Sequence, residues 1–177
     1  EMPGDRLIFG NHPRMFENSP NWINYETTLD FRFDGTSAGA RERFTLLLRT
    51  GGLRFKDDFR TLYLGVSRNQ LVVSRRDRDG SVQQLPDGRM RLPLPGMERI
   101  QPDTWYRLRV RNIDGHMLIW LREQGGTEIL MGEFEVPVGG GHVNLRSGPG
   151  LDLGSLAIHA ITPDTPADGE RFEEMPE

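Results

Sequence analysis

The sequence contains no cysteine among its 177 residues. This absence excludes disulfide bonds, thiolate zinc sites, iron–sulfur clusters and cysteine nucleophiles. No stretch approaches the roughly 18 apolar residues of a membrane-spanning helix, and no signal-peptide pattern opens the chain. The start at Glu1 is consistent with a processed or excised chain.

The chain also lacks a surplus of basic residues and has only one lysine, Lys56. It has 22 basic and 26 acidic residues, which give a net charge of -4. A nucleic-acid-binding protein normally gathers a basic surplus on one surface. We therefore expect no nucleic-acid partner. The arginines matter functionally only where a partner can use their planar, bidentate hydrogen bonds.

Helical periodicity is absent, whereas short alternating runs recur between Gly, Pro, Asn and Asp residues. The chain is therefore predicted to be all-β, with a domain over 1–162 and an acidic, proline-containing mobile tail over 163–177. Residues 77–102 are expected to form a long surface excursion with one short strand near Val82, because their prolines lack a backbone donor. The predicted strands are Arg6–Gly10, Trp22–Phe33, Arg43–Thr50, Arg60–Ser67, Gln70–Arg76, Trp105–Arg111, His116–Arg122, Glu128–Val136, His142–Arg146 and Leu153–Ile161.

The segment WYRLRVRNIDGHMLIWLR predicts a β-hairpin around Asp114-Gly115, because an Asp-Gly step accommodates the positive φ angles of a tight turn. Side chains alternate across a strand, so one face of the hairpin is apolar. We expect that face to point into the core. Its residues are Tyr106, Leu108, Val110, Met117, Ile119 and Leu121.

The opposite face of this hairpin combines arginine and tryptophan, which is unusual for a merely solvated surface. An arginine stacked on indole gains about 0.5–2 kcal/mol, and an exposed tryptophan offers a flat surface for sugar rings. We expect Arg109→Ala to cost far less stability than Leu108→Ala. The alternative is that residues 77–102 cover the two tryptophans as a second small core. The predicted ligand- or partner-binding residues are Trp105, Arg107, Arg109, Trp120 and Arg122.

Four segments form a recognisable series of strands: NYETTLDFRF, FTLLLRTGG, DTWYRLRVRNIDGHMLIWLR and GGHVNLRSGPGLDLGSLAIHAI. Together they resemble the concanavalin A-like jelly-roll superfamily, most closely laminin G-like and 3-keto-disaccharide hydrolase domains of exported bacterial proteins. The resemblance implies a jelly-roll sandwich of two antiparallel sheets and an extracytoplasmic location, periplasmic or secreted. The chain departs from the pattern after the hairpin, where Arg122-Glu123-Gln124-Gly125-Gly126 replaces the usual Asn-Gly.

No catalytic or metal-binding set is apparent. Glu26 and Asp30 share a strand face, but four residues of strand separate them by about 13 Å, beyond the roughly 5–9.5 Å of paired glycosidase carboxylates. The histidines His12, His116, His142 and His159 lie on separate segments without metal-ligand spacing. We expect no cofactor. A calcium ion held by Asp152 with Asp30 or Glu26 is the alternative.

These observations favour a non-catalytic binding or assembly module of an exported bacterial protein. It would recognise a glycan or a protein through the hairpin face that carries arginine and tryptophan. Two alternatives stay open. One is an accessory structural subunit of a larger extracytoplasmic or membrane-associated complex. The other is an enzyme resembling a glycoside hydrolase or polysaccharide lyase.

Overall fold

The structure is a computed structural model, which describes residues 24–36, 42–50, 61–76, 79–136 and 142–167. Within these ranges the chain forms strands and turns without an α-helix, so no helix there has the length and apolarity to cross a membrane. The strands are β1 Tyr25–Phe33, β2 Arg43–Thr50, β3 Thr61–Ser67, β4 Gln70–Arg76, β5 Val82–Arg91, β6 Tyr106–Ile113, β7 His116–Glu123, β8 Glu128–Glu135, β9 His142–Ser147 and β10 Leu151–Ala160.

The strands form two five-stranded sheets in which every neighbouring pair is antiparallel. The first sheet has the order β10-β1-β6-β7-β8, and the second has the order β5-β4-β3-β2-β9. This arrangement confirms the predicted two-sheet jelly-roll sandwich. The predicted strand Arg6–Gly10 lies outside the described residues.

The core lies between the sheets and is built from alternate residues of each strand. All six residues predicted for the apolar hairpin face are fully buried in it. Phe31 contributes to both halves of the core, because its ring stacks on Tyr106 and meets the edge of Phe44. One continuous apolar layer therefore fixes which face of each sheet points outward.

The central hairpin turns at Asp114 and Gly115, with φ angles of 47° and 85°. Ile113 pairs with His116 across the turn, so the loop has two residues with positive φ, as the sequence predicted.

The prediction for residues 77–102 is partly wrong, because β5 is a ten-residue strand at the edge of the second sheet. Gln84 pairs with Ser74 and Arg89 pairs with Val72, so Pro86 lies in a bulge between two paired segments. Proline is tolerated there because no ladder hydrogen bond is required of it. A Cβ on Gly88 would come within 2.6 Å of a backbone oxygen, so the bulge needs glycine at this position.

The first residues of the predicted tail, which the structure describes as far as residue 167, contact the first sheet. Arg111 donates hydrogen bonds to the carbonyl oxygens of Thr165 and Pro166, the second at 2.9 Å. Residues 168–177 lie outside the described residues, and the domain boundary at 162 stays a prediction.

We predict that Leu108→Ala and Ile119→Ala each lower the free energy of unfolding by about 2–5 kcal/mol, because each removes a fully buried side chain from the core. Val82→Ala is the control, since that side chain is 59% exposed. Chemical denaturation measures all three variants. Equal losses would contradict the face assignment.

Candidate functional site

The outward face of the first sheet carries the residues that the sequence singled out. The structure brings them together: Arg107 lies opposite Arg122 and Arg109 lies opposite Trp120 on β6 and β7. Trp105 directly precedes β6, and the guanidinium of Arg32 lies 5.0 Å from the centroid of its ring. The predicted grouping is therefore present as a surface, which we call the Arg/Trp face.

Arg107 is held by a carboxylate of the neighbouring strand. Its Nε and Nη2 donate to the two carboxylate oxygens of Asp30 at 2.6 and 2.7 Å. The Ser155 hydroxyl also donates to Asp30, at 2.9 Å. Because both charged groups are buried, the bidentate pair satisfies hydrogen bonds that water cannot reach.

Arg109 is engaged on three sides. Its Nη1 donates to Glu26 at 3.1 Å, and its Nε donates to Glu128 at 2.9 Å, with a second contact from Nη2 to the same carboxylate. The guanidinium carbon lies 3.8 Å from the centroid of the Trp120 ring, which is a close cation–π contact. Two carboxylates and one indole therefore surround this single side chain.

These contacts change the interpretation of the Arg/Trp face. The expectation that Arg109 is exposed is wrong, because the residue is 1% exposed and is among the largest fully buried side chains. Trp105 is buried as well, whereas Trp120 and Arg122 are half-buried. The hydrogen-bonding groups of Arg107 and Arg109 are occupied by internal carboxylates, so a ligand would have to displace buried ion pairs to reach them.

The three carboxylates considered above as catalytic or calcium-binding groups each form an ion pair with an arginine. Glu26 pairs with Arg109, Asp30 pairs with Arg107, and Asp152 accepts a hydrogen bond from Arg32 at 2.6 Å. Within the described ranges, no group of three or more His, Asp or Glu side chains is placed to hold a metal ion. The arrangement gives these carboxylates a structural role in the sheet.

His116 lies at the margin of the same face, between two glutamates of β8. Its Nδ1 lies 2.8 Å from Glu135, and its Nε2 lies 2.6 Å from Glu133. The hydrogen bond with Glu135, and after it the one with Glu133, raises the pKa of His116 above the ordinary value of 6.5.

A cleft of about 860 Å³ lies on the outward face of the second sheet. Its floor is formed by β2, β3 and β4, and one end is closed by the turn that follows β9. Among the residues that the structure describes, none in the lining is Asp, Glu or His. The lining residues are Arg43, Phe44, Thr45, Gly65, Val66, Ser67, Arg68, Asn69, Gln70, Val72, Arg146, Ser147, Gly148 and Pro149.

Gly65 leaves the centre of this floor without a side chain. It lies between Thr45 on β2 and Val72 on β4. Among the described residues, a Cβ built on it would meet only the carbonyl oxygen of Val72, at 3.8 Å, which is ordinary contact. The described residues therefore leave the space above Gly65 open, and glycine inside a strand often marks a place where a ligand approaches the backbone.

The arginines of the cleft differ from those of the Arg/Trp face. Arg68 pairs with the buried Glu42 at 3.3 Å, beside the core. Arg43 and Arg146 are exposed, and no described carboxylate forms an ion pair with either. The cleft therefore combines free positive charge with hydroxyl and amide groups.

The sequence contains one signal for this cleft. The core faces of β2 and β3 follow from alternation, and the same alternation places Thr45, Gly65 and Ser67 outward. A mid-strand glycine on an outward face was the available indication. The cleft itself depends on how the strands pair, and that pairing is visible only in the fold.

The fold is shared with solved β-sandwich structures of low sequence identity. Sheep galectin-11, solved in complex with glycerol, is 9% identical with a TM-score of 0.56, over 86% of this chain and 100% of that one. The Caenorhabditis elegans galectin LEC-6 is 16% identical with a TM-score of 0.54, over 86% and 99%. The carbohydrate binding module CBM66 from Bacillus subtilis is 10% identical with a TM-score of 0.53, over 80% and 78%.

These similarities establish a jelly-roll β-sandwich of the concanavalin A-like fold. No protein-family model matches the chain, and no curated protein sequence matches it. Identities this low support the architecture and leave the function to be argued from the site.

We predict that Arg107→Met lowers the free energy of unfolding by about 3–5 kcal/mol, because it leaves the buried carboxylate of Asp30 without its cation. The double variant Arg107→Met/Asp30→Leu should recover most of this loss, since both charges are then removed. Arg32→Met is the matched control. Its ion pair with Asp152 is partly exposed and is worth about 1 kcal/mol or less. Urea denaturation giving equal losses for Arg32→Met and Arg107→Met would contradict the buried-pair assignment.

We predict that His116→Gln destabilises the protein at about pH 6 and has little effect near pH 9. Because the folded-state pKa is raised, the contribution of His116 is fully present below 6.5 and is lost as the pH rises through the folded-state value. Thermal unfolding of both proteins across this range measures the difference. A destabilisation that grows toward alkaline pH would have the wrong sign.

Proposed function

We propose that this chain is a non-catalytic carbohydrate-binding module whose ligand lies in the cleft over Gly65. The observation that carries the proposal is the open floor at Gly65, surrounded by polar side chains on the outward face of a rigid sheet. Gln70 lines the cleft with an amide that can donate and accept, and the Ser67 hydroxyl, which donates to the carbonyl oxygen of Gln70, can accept, as hydroxyl-rich ligands require. Among the structures that share the fold, one is named as a carbohydrate binding module, which supports this choice of ligand class.

The lining argues against hydrolysis as the activity of this cleft. Glycoside hydrolases need two carboxyl groups flanking the scissile bond, or a comparable acid–base set. The described lining contains no carboxylate and no histidine. Binding without bond cleavage is the function that these side chains support.

The proposal moves the predicted binding surface from the first sheet to the second. On the Arg/Trp face, Asp30, Glu26 and Glu128 already use the guanidinium donors of two predicted contact residues. The extracytoplasmic location, the bacterial origin and the laminin G-like relationship stay predictions from the sequence resemblance. A role as an accessory subunit of a larger complex is compatible with the module and is a separate prediction.

We predict that Gly65→Ile weakens saccharide binding at least about tenfold, which corresponds to about 1.4 kcal/mol. The new side chain would occupy the open floor, and a β-branched residue suits a strand. A panel of neutral and acidic oligosaccharides identifies a ligand, and isothermal titration then measures its affinity for both proteins.

Leu130→Trp is the matched control, because it adds bulk to the outward face of the other sheet at a side chain that is 49% exposed. It should leave the affinity unchanged. Loss of binding in Leu130→Trp, with normal binding in Gly65→Ile, would place the ligand on the first sheet and refute the proposal.

A further inference from the structure

We infer that the saccharide is anionic, carrying carboxylate or sulfate groups; this inference rests on the proposed function and specifies its ligand. The cleft presents positive charge that no described carboxylate neutralises. Arg43 and Arg146 line it, are exposed, and form no ion pair with a described carboxylate. Guanidinium groups bind carboxylate and sulfate-like oxygens through two parallel hydrogen bonds.

Most arginines on the first sheet, in contrast, are paired with carboxylates. On its outward face Arg32 pairs with Asp152, Arg107 pairs with Asp30, and Arg109 pairs with two glutamates. The whole chain is acidic, with a net charge of -4. Arg122 on that face is half-buried and forms no ion pair with a described carboxylate. The exposed arginines of the second sheet that lack a described carboxylate partner are therefore a local feature, which the acidic composition does not explain.

Two rows of paired residues place arginines along the second sheet, the first row over all five strands and the second over four. In one row Arg146, Thr45, Gly65, Val72 and Arg89 follow one another across the five strands. Four strand spacings separate the two arginine backbones by about 19 Å.

The next row contains Arg43, Ser67, Gln70 and Arg91 on four neighbouring strands. Arg89 and Arg91 are exposed, as Arg43 and Arg146 are, and no described carboxylate pairs with them. Both rows thus have arginines at their ends and uncharged, mostly polar residues between them. This layout suits a chain of several sugar units with repeated negative charges better than a single sugar.

Single-stranded nucleic acid is the competing polyanion, and the cleft is poorly built for it. Proteins that bind single strands stack bases on aromatic side chains beside a basic groove. Phe44 is the only aromatic residue in the described lining, and its ring is buried in the core against Phe31. The described part of the cleft therefore offers charge and hydrogen bonds without an aromatic surface for base stacking.

The test compares acidic saccharides with neutral counterparts of the same sugar backbone. Oligogalacturonate is paired with its methyl ester, and short dextran sulfate is paired with dextran, while oligothymidylate serves as the nucleic-acid probe. Isothermal titration of the intact protein at low and high salt should show that at least one acidic saccharide binds about tenfold or more tightly than its neutral form. Its affinity should fall with increasing salt.

Arg43→Gln/Arg146→Gln should weaken acidic-saccharide binding about tenfold or more and flatten its salt dependence. Both side chains are exposed, so the variant should fold normally. Arg32→Gln is the control for the loss of one positive charge elsewhere, and its affinity should stay within about twofold of the unmodified protein.

Equal binding of neutral and acidic forms, still blocked by Gly65→Ile, would overturn the anionic ligand and leave the proposed function intact. Binding of no saccharide would overturn both. Tighter binding of oligothymidylate than of either acidic saccharide, or equal losses in Arg32→Gln and the cleft variant, would also overturn the inference.

Discussion

The buried ion pairs on the outward face of the first sheet are the constraint on which the rest of the molecule depends. Arg107 and Arg109 extend from β6 to carboxylates on β1 and β8, so three strands are linked by charge as well as by backbone hydrogen bonds. A buried guanidinium is tolerated only when its donors are satisfied, which fixes the register of these strands. Trp120 closes the arrangement by lying over Arg109.

This pairing divides the two faces of the sandwich by electrostatic role. On the first sheet, Arg32, Arg107 and Arg109 are paired with carboxylates of the same sheet, so a ligand would have to compete with these carboxylates for their guanidinium groups. The second sheet keeps exposed arginines around an open floor at Gly65. Arginine content alone is therefore a poor guide to a binding surface. An arginine is available to a ligand only where carboxylates of the protein do not already occupy its guanidinium donors.

Alternation and turn chemistry were enough to predict much of the fold. They predicted β2 and β4 at their observed bounds and placed the turn at Asp114 and Gly115. They failed at β5, where Pro86 interrupts the pattern inside a bulge. The ion pair of Arg107 with Asp30 joins residues 77 positions apart. Its formation depends on sheet order, which one sequence does not reveal, and for the same reason the Arg/Trp face was predicted to be open.

The proposed ligand lies on the second sheet and leaves the Arg/Trp face untouched. Nuclear magnetic resonance of the ¹⁵N-labelled protein, titrated with short oligogalacturonate and with dextran sulfate, distinguishes the two sheets residue by residue. We expect the largest amide shifts in residues 43–47, 63–72 and 144–149, with the indole resonances of Trp105 and Trp120 unchanged. Shifts concentrated in residues 105–122 and in the Trp120 indole would contradict the account.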